Sequence, residues 1–326
     1  MNKRILSTAF YILILLLSPL ILFSQGCSDA GFCTMGAMKP NQQFSRKISP
    51  RLRSVELSQY AGINDLHDVI MAYTADVNIG LSSKYTVQAK IPYMVVLGKL
   101  ANTNGLGDIS LSATRNLIAK EKYQLNFTLG TKIPPNKGNI TTERNNKPLP
   151  LPNYYQTSLG TYDLVVGISL ITKKWLIATG YQQALNSNGN QFLWGPWNKS
   201  GSADSLIAQK YPVCKDLHRG KDIMLRVERN FRLARFNAHI GLLGIYRITE
   251  DEFTNKFNQR QKMPGTTGLA MTGIAGIGYN FSARSAIKVT FGARLVQRYR
   301  TEALHGLSLD GLSRQFVNTI GYEFRF

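Results

Sequence analysis

The last eight residues, Thr319-Ile320-Gly321-Tyr322-Glu323-Phe324-Arg325-Phe326, constrain the fold more than any other stretch. Counted back in twos, Phe326, Phe324, Tyr322 and Ile320 share one face, and Arg325, Glu323, Gly321 and Thr319 share the other. A side-chain period of two is that of a β-strand with one apolar and one polar side. Three rings on the apolar face suit a strand whose outer side meets lipid and whose aromatics sit at the membrane interface. The competing reading is the edge strand of a soluble β-sandwich.

The same period runs upstream and decides between the two. Alternating runs fall at about 50–61, 68–81, 84–98, 107–118, 122–134, 159–171, 174–186, 221–231, 235–248, 268–282 and 285–298, before the final strand. In the clearest, Met71, Tyr73, Ala75, Val77 and Ile79 oppose Ala72, Thr74, Asp76 and Asn78. The first run, with Leu52, Val55, Leu57 and Tyr60, has an imperfect register, and the Gly- and Ala-rich tenth leaves its faces unassigned. Arg115 falls on an apolar face, which places it at the headgroup level. Connections after even-numbered runs are short and those after odd-numbered runs mostly long. The pattern predicts an all-β fold, an antiparallel transmembrane β-barrel of about 12 strands, with tight periplasmic turns, long outer loops and both termini periplasmic. Thr319, Gly321, Phe324 and Phe326 also resemble the C-terminal assembly signal of bacterial outer-membrane barrels, which implies the barrel assembly machinery as a partner.

The other end of the chain agrees. Met1-Asn2-Lys3-Arg4 is basic, Ile5 to Phe23 is apolar, and Ser24 is small. That is the pattern of a secretory signal peptide over 1–24. No later stretch approaches the ~20 apolar residues of a membrane helix. Residues 25–48 read as an N-terminal extension: a plug in the barrel mouth, a periplasmic contact or a simple leader. Residues 49–326 are the barrel. The expected location is the outer membrane of a Gram-negative bacterium, as an integral, multi-pass protein.

The formal net charge of +20 is spread over strands, turns and loops, with no basic helix and no nucleic-acid motif. It points to the anionic headgroups of outer-membrane lipid and lipopolysaccharide, or to an anionic solute, and no nucleic-acid partner is expected. Of the three cysteines, Cys27 and Cys33 enclose a small loop that a disulfide would close. Ser24-Gln25-Gly26-Cys27 also loosely resembles a lipoprotein cleavage site, so a lipid-modified Cys27 and free thiols stay open as alternatives. No cofactor and no metal is expected, because His67, His218, His239 and His305 lack ligand spacing.

Position makes the inner face the functional surface. Its candidate lumen and solute residues are Asp76, Lys90, Asp222, Arg226, Glu228, Arg235, His239, Arg247, Lys288, Arg294 and Arg298, with Lys132, Asp163, Glu323 and Arg325 beside them. Positive charges outnumber negative ones, and a basic lumen favours anions. The alternative is that facing charges pair and close the lumen. Trp194 and Trp197 flank Pro196 in an outer loop, as headgroup anchors or as contacts for an apolar solute. Nucleophile, base and orienting group do not converge in the pattern, so no enzyme is expected.

Ile91-Pro92-Tyr93 and Gly105-Leu106-Gly107-Asp108-Ile109-Ser110-Leu111 carry a resemblance. So spaced, they look like the outer-membrane barrel family named for the MetA protein of phenol-degradation pathways. The match is good over residues 68–134 and rests on pattern elsewhere. It implies a transporter of apolar or aromatic compounds, distantly similar to long-chain fatty-acid channels. Arg115 and the cysteine-bearing N-terminus depart from the family pattern. Two functions follow: a passive channel or transporter for a small apolar or anionic solute, and a non-transporting barrel that is a structural or assembly partner in an outer-membrane complex.

Overall fold

Twelve strands close on themselves in a computed structural model that describes residues 35–39, 51–64, 66–198, 202–298 and 316–326. In chain order they are β1 (Arg51–Ile63), β2 (Val69–Gly80), β3 (Tyr85–Leu97), β4 (Ile109–Ala119), β5 (Tyr123–Ile133), β6 (Asp163–Thr172), β7 (Trp175–Ala184), β8 (Asp222–Leu233), β9 (Phe236–Arg247), β10 (Gly268–Asn280), β11 (Ser285–Val296) and β12 (Phe316–Arg325). Each pairs antiparallel with the next, and β12 closes on β1 from Ser54↔Arg325 to Ile63↔Phe316. Among the described residues, each of the twelve barrel strands is paired on both sides, which a span through lipid requires.

The outer face is apolar and open. Leu225 is 53% exposed, Ile240 59% and Leu129 48%, whereas the inward Asp163 and Glu228 are fully buried. That inversion of a soluble protein is the condition for a barrel in lipid. Aromatic residues gather at one rim. Phe236 and Tyr279 lie 4.9 Å apart, Tyr279 and Phe281 5.2 Å, and Phe324 and Phe326 5.0 Å, centroid to centroid. At the same rim Arg229 lies over Trp175 at 4.9 Å, and Arg115 over Tyr85 at 5.8 Å. The outward arginine of the sequence thus sits at the girdle, stacked on a ring.

Short turns at that rim join β2–β3, β4–β5, β6–β7, β8–β9 and β10–β11 (the turn end), and the other connections lie at the opposite, loop end. Loop-end chain forms small units of its own: the hairpins Thr141–Arg144/Lys147–Pro150 and Asp251–Thr254/Arg260–Met263, and the short helices Trp194–Asn198 and Ser202–Ala208. Strand Asn102–Leu106 folds back on the upper part of β3.

Two unresolved registers are now explained. The pairing of β1 with β2 shifts between Leu52 and Ser54, so Leu52 and Val55, three residues apart, stand opposite Ile79 and Val77 on one face; Leu57 then points outward and Tyr60 packs inward by plain alternation. In β10, Leu269 and Ile277 face out, and Ala270, Thr272 and Ile274 face in.

Candidate functional site

The lumen is the one enclosed surface that every strand helps to build. Its middle is occupied by chain, not only by wall side chains. Residues Met35–Lys39, with a 3₁₀ turn at Gly36–Met38, lie inside the barrel against β3 to β7. Met35 and Met38 are fully buried. The wall makes room for them with glycine: a Cβ on Gly130 would lie 2.8 Å from the Met35 sulfur, and one on Gly167 would overlap the Met38 sulfur. Gly36 N–H donates to Gln88 Oε1 at 2.6 Å, and Arg226 Nη1 donates to the Met38 carbonyl at 3.3 Å. Lys39 Nζ reaches Asp76 Oδ2 at 2.6 Å and Glu56 Oε2 at 3.1 Å.

The two methionines face an apolar wall. Val165 and Ile171 of β6, Leu176 and Ala178 of β7, Met224 of β8, Leu243 of β9 and Ile274 of β10 form one buried cluster with them. The opposite wall is charged. There Lys288 joins Glu56 at 3.0 Å and Glu323 at 3.1 Å, and Gln88 Nε2 donates to both carboxylate oxygens of Asp76 at 2.9 Å. Lys90 stands opposite Asp76 in the sheet register and is buried. His239, also buried, faces Asn230 in register and lies where Gly276 leaves no side chain.

Toward the loop end the lumen narrows through paired charges. Arg247 holds Asp222 through Nε and Nη2, both at 2.9 Å, and Asp251 through Nη1 at 2.8 and 2.9 Å. Arg298 stands 3.7 Å from Asp222. Lys132 Nζ lies 3.2 Å from Asp108 and 3.9 Å from Asp163, and Asp163 also accepts from Arg219 and Gln182. Farther from the loop end, beside the Met38 carbonyl, Arg226 meets Glu228 at 3.6 Å. Buried charges persist only when paired in this way.

Above the ring the long loops fold into the mouth. Tyr154, Tyr155, Phe192, Trp197 and Tyr211 are buried together with Leu100, Leu151 and Cys214 over Ile70, Met94 and Val96. Asp68 organises this cap, accepting from Tyr155 at 2.9 Å and Tyr211 at 2.7 Å. Burial, and then the Asp68 carboxylate, push both phenols above their ordinary pKa. A raised pKa means that the folded cap holds these protons more tightly than the unfolded chain. Its contribution to cap stability is therefore present below about pH 10 and lost as pH rises beyond it. In an ultraviolet phenolate titration the folded protein should lag the unfolded one, and replacing both rings by phenylalanine should remove the lag.

Several placements differ from the sequence reading. Arg235 is not in the lumen: it sits exposed in the two-residue turn between β8 and β9, because β8 runs on to Leu233. Trp194 and Trp197 are not headgroup anchors. Trp197 is fully buried and its Nε1–H donates to the Pro150 carbonyl at 2.9 Å, while Trp194 packs on the same cluster. Cys27, Cys33, His305 and the signal peptide lie outside the described residues. Thr319 and Gly321 face in, and Phe324 and Phe326 face out at the girdle. Sequence reasoning missed the apolar wall, although the failure of alternation at Leu164-Val165-Val166 and Trp175-Leu176-Ile177 marks it. The two segments that carry the family resemblance touch: Gly107 N–H donates to the Pro92 carbonyl at 2.8 Å, and Tyr93 pairs with Leu106. Asp108 ties that turn to a distant loop by accepting from Ser158 Oγ at 2.5 Å and is one of the Lys132 partners.

A closed antiparallel barrel with an apolar outer belt, an aromatic girdle and a polar, ion-paired lumen defines an integral outer-membrane protein of porin-like architecture. No protein-family model matches the chain, and no curated protein matches it. Among solved structures, an outer-membrane channel from Pseudomonas putida F1 is similar at 12% identity and a TM-score of 0.56, over 87% of this chain and 99% of that one. The NanC porin aligns over 84% of this chain and 100% of its own, at 11% identity and a TM-score of 0.44. The translocator domain of the autotransporter NalP from Neisseria meningitidis aligns over 85% and 89%, at 11% identity and a TM-score of 0.46. At these identities the likeness is one of fold.

Proposed function

We propose that this barrel is a passive channel for a small apolar solute, closed at rest by residues 35–39 and by the loop-end cap. The observation that carries the reading is the segment itself. The middle of the lumen is filled by a short piece of chain resting on an apolar wall, and not only by side chains rooted in the strands. Displacing it uncovers a strip from Ile171 and Leu176 to Val165 and Met224. An anionic solute is less well served, because the lumen arginines and lysines facing that space are matched by carboxylates. The fold likeness to the Pseudomonas channel supports the reading, as does the resemblance to aromatic-compound transporters. In this reading the turn end faces the periplasm.

The second reading, a barrel that conducts nothing and serves as a partner in an outer-membrane complex, draws on the fully buried aromatic cap. Uptake separates the two. Vesicles carrying the protein without residues 25–48 should admit toluene faster than empty vesicles, and should swell in small sugars. Vesicles that do neither would leave the partner reading standing.

A further inference from the structure

The turn end holds a cavity of about 470 Å³, lined by Arg232, Arg235, Asn237, Asn280, Ser282 and Arg325 among others. It lies within the size range of ordinary ligand pockets. Arg232 continues the inward register of β8 and stands opposite Asn237. Arg325 is fixed in place: its Nε and Nη2 donate to Glu323 at 2.9 and 2.6 Å, and its Nη1 donates to Asn280 Oδ1 at 3.2 Å. Glu323 is already shared with Lys288. Arg232 and Arg235 have no carboxylate partner among the described residues. Deeper in the lumen, Lys39, Arg226, Arg247 and Lys288 all do. Unmatched positive charge therefore lines this concave place.

We propose that this cavity is a binding site for a small oxyanion, a carboxylate or a phosphate. Two exposed guanidiniums offer paired N–H donors in the geometry that such groups take up, and Arg325, Asn237 and Asn280 add a polar floor. The site does not depend on the channel reading, since binding at the rim needs no open lumen. A free phosphate ion and the phosphate of a lipid headgroup present the same chemistry at this level, so both are tested.

Two measurements serve. Equilibrium dialysis with radiolabelled inorganic phosphate uses the full-length protein in phosphatidylcholine nanodiscs. Native mass spectrometry counts phosphatidylglycerol retained on the detergent-solubilised protein, against phosphatidylcholine. The test variant is R232Q/R235Q, at the end of β8 and in the turn that follows, where both side chains are exposed. The control is R115Q/R229Q, which removes the same charge from arginines stacked outside the barrel at the same rim. The expected result is saturable binding of phosphate, of phosphatidylglycerol or of both, weakened about tenfold or more by R232Q/R235Q and within about twofold of native in the control. Phosphate alone identifies a soluble oxyanion as the occupant, and phosphatidylglycerol alone a headgroup. Equal loss in both variants, or no saturable binding of either probe by the native protein, overturns the proposal.

Discussion

Replacing Gly36 with valine should turn a mostly silent barrel into a conducting one. Gly36 has φ +50°, in the left-handed region, and a Cβ there would collide with Thr114 Oγ1 and lie 2.7 Å from Thr128 Cγ2. Those two threonines belong to neighbouring strands and lock each other, oxygen to oxygen, at 2.9 Å. The wall cannot give way, so the segment must. Conformation alone costs a residue with a Cβ about 1–2 kcal/mol, which is roughly a fivefold to thirtyfold rise in the unseated fraction before any collision is counted. Gly36→Ala should therefore show part of the effect and Gly36→Val all of it. Lys39→Met tests the other anchor, removing the ammonium from Asp76 and Glu56, while Lys288 and Gln88 keep those carboxylates partnered. The readout is single-channel conductance in planar bilayers. Variants as silent as the native protein, in swelling as well as conductance, would show that residues 35–39 are not the obstruction.

The outer face was legible in the sequence, because lipid demands an apolar side chain at every second position with little regard to its shape. Tyr73, Ile91, Leu129 and Ile277 stand outward, although the last lies in a strand whose faces the sequence left open. The inner face obeys no such rule. It is filled by whatever the lumen packs against, so Val165, Ile171 and Leu176 are as apolar as their outward neighbours, and the alternation dissolves where a methionine needs a wall. Residues 35–39 were legible only as an extension. Nothing in their composition shows that Met35 and Met38 meet glycines 95 and more residues away, since the match exists only after the barrel closes. Arg235 was misplaced by strand length: two more residues in β8 carry it from the wall into the turn. Trp194 and Trp197 were misread because a loop tryptophan is commonly an interface anchor, whereas these loops bring enough apolar surface to bury the rings among themselves.

Charge pairing was anticipated in kind and found in a different arrangement. Asp222 and Arg247 do meet, but Arg226 and Glu228 form a separate pair toward the turn end, and Arg235 takes no part. The carboxylates that complete the network, Glu56, Asp108 and Asp251, come from the strand of imperfect register, from a loop and from a loop-end hairpin. A strand-based reading assigns an inward side to a strand residue. It assigns none to a loop residue that folds back over the mouth.

The largest loss of stability should follow Arg247→Met. One guanidinium there holds two carboxylates, each through two hydrogen-bonding contacts, at a side chain 9% exposed. Removing one member of a buried ionic set leaves its partners charged and dry, which costs about 3–5 kcal/mol. Arg298, 3.7 Å from Asp222, offsets part of that for Asp222 and none for Asp251, whose carboxylate keeps the neutral Gly220 N–H as a donor at 2.7 Å. Lysine at 247 should be intermediate, because a point charge cannot serve both carboxylates as a fork does. Adding Asp222→Asn and Asp251→Asn to the methionine variant should recover most of the loss, since the penalty lies in the stranded charge and not in the missing arginine. Urea titration of folding into lipid vesicles measures all four proteins on one scale. If Arg247→Met stays within about 1 kcal/mol of native, the triad behaves like an exposed, screened ion pair. The loop end would then be wet enough to conduct, and the cap would be the weaker of the two closures.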